Sequence, residues 1–227
     1  MNKFNICGAG HKTHPVKLVP TTNGDMYVYD YEKFKGQTGT YCPAQDATSE
    51  SIDSQGSWED RDTAVIKPIL ESSDLDKIVI DAGCHVGWYT VMAANLGYKV
   101  VAIDGDAENL RLLKMNLELH DLTDLVEVHH LWFDESTKLK ETRSVKLMKI
   151  DIEGAERHAI EVFKPLIEAG KVENIYLEVS PEFNDSYPAL LAYLKQYYSL
   201  FYDDGRPWDD DYSKGQINLL CRLDNNG

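Results

Sequence analysis

The chain is 227 residues long and carries 38 Asp and Glu against 23 Lys and Arg, a formal net charge of −15 at pH 7. That excess argues against a DNA- or RNA-binding surface, which needs Lys and Arg to displace counterions from phosphates, and against adhesion to an anionic membrane. With 43% hydrophobic and 10% aromatic residues, the composition is that of an ordered acidic globule acting on something small or uncharged.

Residues 1–57 are rich in Gly and Pro and poor in helical periodicity. Asn23-Gly24 separates Val16-Lys17-Leu18-Val19 from Met26-Tyr27-Val28-Tyr29, and this predicts a β-hairpin because the pair tolerates positive φ. Residues 48–56 are polar and loop-like, and 58–70 then resemble a helix. Residues 1–57 therefore stand as a small appendage, a lid or an acceptor cap, to a domain over 58–227. In that domain Ile78-Val79-Ile80 is an apolar run ending in Asp81, and 88–96 is a helix stopped by Gly97. A buried strand over 99–103 ends at Asp104. Leu110, Leu113 and Leu117 mark a helix over 107–120. Strands follow over 126–133 and 145–150, the second ending in Asp151, then a helix over 155–169. A strand over 174–179, a helix over 187–198 and a strand over 216–223 complete the pattern. The alternation predicts an α/β fold, a mostly parallel sheet with helices on both faces and a ligand crevice at the carboxyl ends of the strands. Asp81, Asp104, Asp151 and Glu178 all fall at those ends.

The four cysteines, Cys7, Cys42, Cys84 and Cys221, form no CxxC pair and no zinc-spaced cluster. They read as reduced thiols of a cytoplasmic protein. Residues 1–10 lack the basic start and apolar run of a secretory signal, and no stretch approaches the length of a membrane span.

Three segments carry the chemistry. In Asp81-Ala82-Gly83-Cys84-His85-Val86-Gly87, Gly83 permits a tight turn and close approach of a ligand, and Gly87 lets a helix start near the sheet. A nicotinamide fingerprint needs glycine where His85 and Trp88 stand, so a dehydrogenase is disfavoured. Asp81 would repel a pyrophosphate but suits the sulfonium–amino end of S-adenosylmethionine. Asp104 lies at the next strand end, where an acid can accept from ribose hydroxyls. In Lys149-Ile150-Asp151-Ile152-Glu153-Gly154-Ala155-Glu156, Asp151 closes a buried strand at the crevice mouth. It is placed to act as a general base, or to bind a divalent cation if there is one.

Residues 80–94 (IDAGCHVGWYTVMAA), 101–116 (VAIDGDAENLRLLKMN), 147–156 (LMKIDIEGAE) and 175–181 (IYLEVSP) together resemble the FkbM-type family of S-adenosylmethionine-dependent methyltransferases. Residues 49–59 (SESIDSQGSWE) are similar to the family's lead-in, and the likeness covers roughly residues 48 to 222. The resemblance implies a Rossmann-like class I methyltransferase fold with a seven-stranded sheet whose last strand is antiparallel. It implies O-methylation of a sugar hydroxyl in a glycan, polysaccharide or deoxyhexose, to which the acidic charge adds the expectation of no nucleic-acid and no membrane partner. A polyketide or other small-molecule hydroxyl, or a cofactor-binding relative without catalysis, are the alternatives.

Carried onto this sequence, the likeness assigns Asp81, Gly83 and Gly87 to the methionine end of the cofactor and Asp104 to the ribose; His85 and Gly105 lie in the same two loops and are expected to bind the cofactor with them. Asp134 is expected to meet the adenine amino group, with Trp132 or Phe133 covering the ring face. The likeness puts Asp151 and Glu153 at the active-site edge; with Asp151 as base or metal ligand, Glu153 or Glu178 assists and His130 and His158 are competing bases, while Trp58, Glu59, His158 and Trp208 are expected to face the acceptor. The sequence departs from the family's usual pattern at Cys84-His85, where an Ala-Asn pair is common, and at Gly105, which replaces a usual Pro. The exit of the fourth strand also lacks the Asn/Asp-Pro-Pro-aromatic signature of amino-group methylation in adenine or glutamine.

Overall fold

The computed structural model describes residues 14–30, 46–72, 74–179, 187–211 and 215–224. Cys7, Cys42 and the Ser180-Pro181 end of the last family-like segment lie outside them. The expected hairpin is present: β1 (Val16–Val19) pairs antiparallel with β2 (Met26–Tyr29). Helix α1 (Ala47–Gln55) follows where a polar loop was expected. Its signal lies in its ends and not in apolar periodicity. The Asp46 carboxylate caps Ser49 N–H at 3.3 Å, Gly56 closes it in the left-handed conformation, and only Ser49 and Ile52 are buried.

Beyond α2 (Asp60–Glu71) the order is β3 (Ile78–Ala82), α3 (Trp88–Asn95), β4 (Lys99–Asp104), α4 (Ala107–Leu119) and β5 (Val126–His130). Then come β6 (Val145–Ile150), α5 (Glu156–Glu168), β7 (Asn174–Val179), α6 (Tyr187–Leu194), β8 (Tyr198–Tyr202) and β9 (Ile217–Leu223). The expected helix over 187–198 stops at Leu194. The alternating Tyr198-Ser199-Leu200-Phe201-Tyr202 buries Tyr198, Leu200 and Tyr202 as a strand instead.

The seven-stranded sheet has the order β5-β4-β3-β6-β7-β9-β8. Strands β3 to β7 pair in parallel, and β9 lies antiparallel between β7 and β8. The chain leaves β3 toward β4 on one side and returns at β6 on the other. The exits of β3 and β6 therefore flank the switch point where such sheets open a crevice. On one face Ile80, Met148 and Leu219 of the sheet share a core with Ile160 and Phe163 of α5 and Leu191 of α6. The other carries Val79, Val100, Ile66 and Leu113, and Met26, Val28 and Ile52 of the N-terminal segment join that same core. Full burial of each such side chain contributes about 1.5–3 kcal/mol. Among the described residues no helix is long and apolar enough to cross a membrane.

Candidate active site

Gly83 and Gly87 both adopt positive φ, +85° and +97°. The room at Gly83 is filled by the protein itself: a Cβ there would meet the Asp151 carbonyl oxygen at 1.8 Å. Glycine is thus required by the close approach of the β3 and β6 exits, which Asp151 N–H seals by donating to the Ala82 carbonyl at 3.0 Å. At Gly87 a Cβ would meet Leu113 Cδ1 at 2.4 Å, so this glycine seats α3 against α4.

Between the glycines, His85 has φ +50°. Its backbone N–H donates to Asp104 Oδ2 at 2.8 Å, and its Nε2 lies 3.1 Å from Asp46 Oδ1. Burial pulls its pKa down, but the hydrogen bond and charge of Asp46 win and hold it raised. Asp104 also accepts from Asp106 N–H at 2.8 Å and from Asn109 Nδ2 at 3.3 Å. About one of its four acceptor positions is left for a ligand. Nothing local in the sequence pairs Asp46 with this loop, and it was not among the expected site residues.

Asp81 is 1% exposed, and its Oδ2 accepts from Thr90 Oγ1 at 2.6 Å. Its Oδ1 is buried with no partner among the described residues. An orphaned buried acceptor is costly, about 1–3 kcal/mol, and fits a missing donor such as an ammonium. Burial raises the Asp81 pKa.

At the exits of β4 and β5, Gly105 lacks a side chain because Trp132 takes its place: a Cβ would meet the indole at 2.3 Å. The departure from proline therefore makes room for an aromatic shelf, and Trp132 is 69% exposed. His130 Nε2 lies 2.9 Å from the Gly105 carbonyl oxygen beneath it. Asp134 spends its carboxylate on its own turn, accepting from Ser136 N–H and Oγ at 2.7 Å each.

The exits of β6 and β7 hold a carboxylate cluster. Oxygens of Glu59, Asp151 and Glu178 lie within 4.8 Å of one another, a spacing that a divalent cation can bridge. An internal cation is already present. Lys149, 4% exposed, donates to Asp151 Oδ2 at 2.7 Å and stands 4.9 Å from the Tyr89 ring centroid. Burial would lower its pKa, but the charges of Asp151, Asp81 and Glu59 hold it above the ordinary value. Burial pushes Glu59 up to about 7, and burial with the Asp151 charge pushes Glu178 up to about 8. Glu59 accepts from Tyr89 Oη–H at 2.9 Å and sits at φ +44°, a strained setting for a non-glycine residue. Behind them, buried Asp62 accepts from Tyr176 Oη–H at 2.5 Å and Asn218 Nδ2 at 3.0 Å.

Sequence reasoning quoted Lys149 only as part of a motif. Its signal was a charge inside Val145-Lys146-Leu147-Met148-Lys149-Ile150, a strand otherwise mostly apolar. Glu153 is exposed at φ +46° and does not converge with Asp151 and Glu178, nor does His158 in the first turn of α5. Trp58 is half-buried against the second core. Trp208, 6% exposed, packs in the first core with Lys195 4.7 Å from its ring centroid, so it does not present a face to an acceptor. The Cys84 thiol is buried and pushed well up, which rules it out as a nucleophile.

No family model matches the chain. A 66-residue stretch is 38% identical to the ribosomal protein L11 methyltransferase of Alkaliphilus metalliredigens, covering 26% of this chain and about a fifth, 21%, of that relative. Solved structures align over most of the chain. An rRNA methylase from Streptococcus thermophilus matches with TM-score 0.51 at 15% identity, over 74% of this chain and 100% of its own. A TehB-like SAM-dependent methyltransferase from Corynebacterium glutamicum gives 0.54 at 12%, over 77% and 94%. The 16S rRNA N2 G1207 methyltransferase of T. thermophilus, bound to AdoMet and guanosine, gives 0.52 at 14%, over 92% and 50%.

The chain has the methyltransferase fold. The same comparisons overturn two expectations, a sugar hydroxyl as acceptor and the exclusion of nucleic acid. The curated relative is named for a ribosomal protein, and two of these three solved structures are named for ribosomal RNA. The physical reason is that net charge sums the whole surface, whereas recognition depends on the field within about 10 Å of a site.

Proposed function

We propose that the chain is an S-adenosylmethionine-dependent methyltransferase whose acceptor is an amine of a basic protein. The observation that carries the acceptor class is the cluster of Glu59, Asp151 and Glu178 at the crevice, two of them raised close to neutral pH. Carboxylates so placed attract an ammonium group and can take its proton. The 66-residue likeness to a ribosomal protein methyltransferase supports a protein acceptor.

Bound S-adenosylmethionine supplies an electrophilic methyl group on a sulfonium. The residues present fit it. Asp81 Oδ1 is an open acceptor for its ammonium, Asp104 has acceptor capacity for a ribose hydroxyl, and the exposed face of Trp132 can cover an adenine. Asp151, fixed by Lys149, orients the incoming ammonium together with Glu59. Glu178 takes the proton, which frees the nitrogen lone pair. Lys149 offsets the mutual repulsion of the acids and is itself held over the Tyr89 ring.

The test is transfer of label from methyl-labelled S-adenosylmethionine to purified ribosomal proteins and, in parallel, to ribosomal RNA. Methyl-lysine or a methylated N-terminus in the hydrolysed protein is the expected product. Label confined to RNA would overturn the acceptor class, and no calorimetric binding of S-adenosylhomocysteine would overturn the cofactor.

A further inference from the structure

The amino ends of the same strands carry the opposite charge. The residues that open β3, β6 and β7, namely Lys77, Ser144 and Asn174, line a cavity of about 440 Å³ with Lys171, Arg222 and Glu173. Because β3, β6 and β7 are parallel, this cavity lies at the edge of the sheet opposite Asp81, Asp151 and Glu178; antiparallel β9 brings the end of its own run, Arg222, to the same place.

The charges around the cavity do not cancel. Glu173 is shared by Lys77 and by Lys146, whose Nζ lies 2.8 Å from Oε2, and Lys77 also holds Asp74. Asp224, the next carboxylate along β9, accepts from Ser199 Oγ at 2.7 Å. Lys171 and Arg222 are both exposed and make no ion pair with a described residue. Lys171 donates to the Thr142 carbonyl at 2.8 Å, and the Arg222 guanidinium lies 5.4 Å from the Phe201 ring centroid. Stacking on Phe201 limits how the guanidinium can turn and so lowers the entropy lost on pairing with an anion.

We propose that this cavity binds a phosphate-bearing anion. A planar guanidinium offers two parallel donors to a tetrahedral oxyanion, Lys171 adds a point charge, and Ser144 supplies a hydroxyl at the wall. The volume accommodates a phosphate with an attached sugar and is lined by only one apolar side chain, Leu223, so a fatty or purely aromatic ligand finds nothing to bury against. The phosphate can be that of a free nucleotide or of a polynucleotide backbone. The chemistry is shared, and the site does not depend on the methyl-transfer reading.

The experiment is amide NMR on the full chain at fixed ionic strength, titrated separately with inorganic phosphate, adenosine monophosphate and a ten-nucleotide single-stranded RNA. Saturable shifts concentrated at residues 171–174 and 222–223 are expected, with affinity falling about tenfold in Arg222→Ala and again in the double variant with Lys171→Ala. Tighter binding of the monophosphate than of the oligonucleotide assigns the site to a free nucleotide. Tighter binding of RNA, weakening steeply with salt, assigns it to a backbone. Shifts spread evenly over other lysines, shifts that survive the double variant, or none at these amides would overturn the proposal. The wild-type shift map decides by itself if the double variant fails to fold.

Discussion

Glu59→Gln isolates the electrostatic load of the carboxylate cluster. A carboxyl lifted from 4.5 to about 7 by burial withholds about 3 kcal/mol from the folded state once it is ionised in both states. Solvent screening at a side chain that keeps some exposure reduces this to about 1.5 kcal/mol. The sign follows from the direction of the shift. Between about pH 4.5 and 7 the folded state binds more protons, so its stability is full below that window and falls as pH rises through 7. Glutamine keeps the acceptor for Tyr89 and removes the charge, and Lys149 retains Asp151 at 2.7 Å. The variant should match the parent at pH 4.5 and exceed it at pH 9 by about 1.5 kcal/mol, or roughly 3–6 °C in melting temperature. Urea denaturation from pH 4.5 to 9 measures it. Parallel curves, or a variant less stable at pH 9, would refute a half-buried carboxylate at Glu59 that destabilises the fold.

Three further outcomes are expected. The methyl-transfer rate should rise with pH through about 8 as Glu178 ionises, and Glu178→Gln should remove that limb and lower kcat by about 10²-fold; an unchanged profile would remove Glu178 as the base. Trp132→Ala should weaken S-adenosylhomocysteine binding in calorimetry by roughly threefold to tenfold while leaving the melting temperature unchanged, since the indole is 69% exposed. Gly83→Ala should cost about 3 kcal/mol or more, because its Cβ overlaps the Asp151 carbonyl. Gly170→Ala, also at positive φ but with nothing within 4 Å, should cost about 1–2 kcal/mol, and equal losses in thermal denaturation would contradict the packing role of Gly83.

The features legible in the sequence were those set by local periodicity. β3, β4, β6 and β7 are runs of buried apolar residues whose polar endings mark the crevice, so Asp81 and Asp151 were placed from sequence alone. Helix α1 was missed because its cap residues, Asp46 and Gly56, hold it with little inward-facing apolar surface. β8 was missed because a short aromatic run suits a helix tail or a strand equally until a neighbour pairs with it. The cluster was legible only in part. Glu59 and Glu178 are 119 positions apart in the chain, and nothing local says that they meet across Lys149. Gly83 was read as leaving space for a ligand; its space is taken by the partner strand's exit.

The net charge is where sequence arithmetic misled most, and the topology explains why. A parallel sheet sends equivalent ends of β3, β6 and β7 to the same edge, so a sequence that alternates base, apolar strand, acid is sorted by folding into two charged ends. Lys77, Lys146 and Lys171 precede or open strands, while Asp81, Asp151 and Glu178 close them. Their sum says nothing of this separation. The two ends lie a full strand length apart, about 17–20 Å, and at physiological ionic strength the Debye length is about 8 Å, so each acts on its own ligand nearly independently of the other. A chain of −15 can thus present an acidic crevice to an amine and a basic cavity to a phosphate. Raising salt should weaken both, since screening acts on attraction at either end, whereas Arg222→Ala should alter phosphate binding and leave methyl transfer to an isolated protein acceptor unchanged.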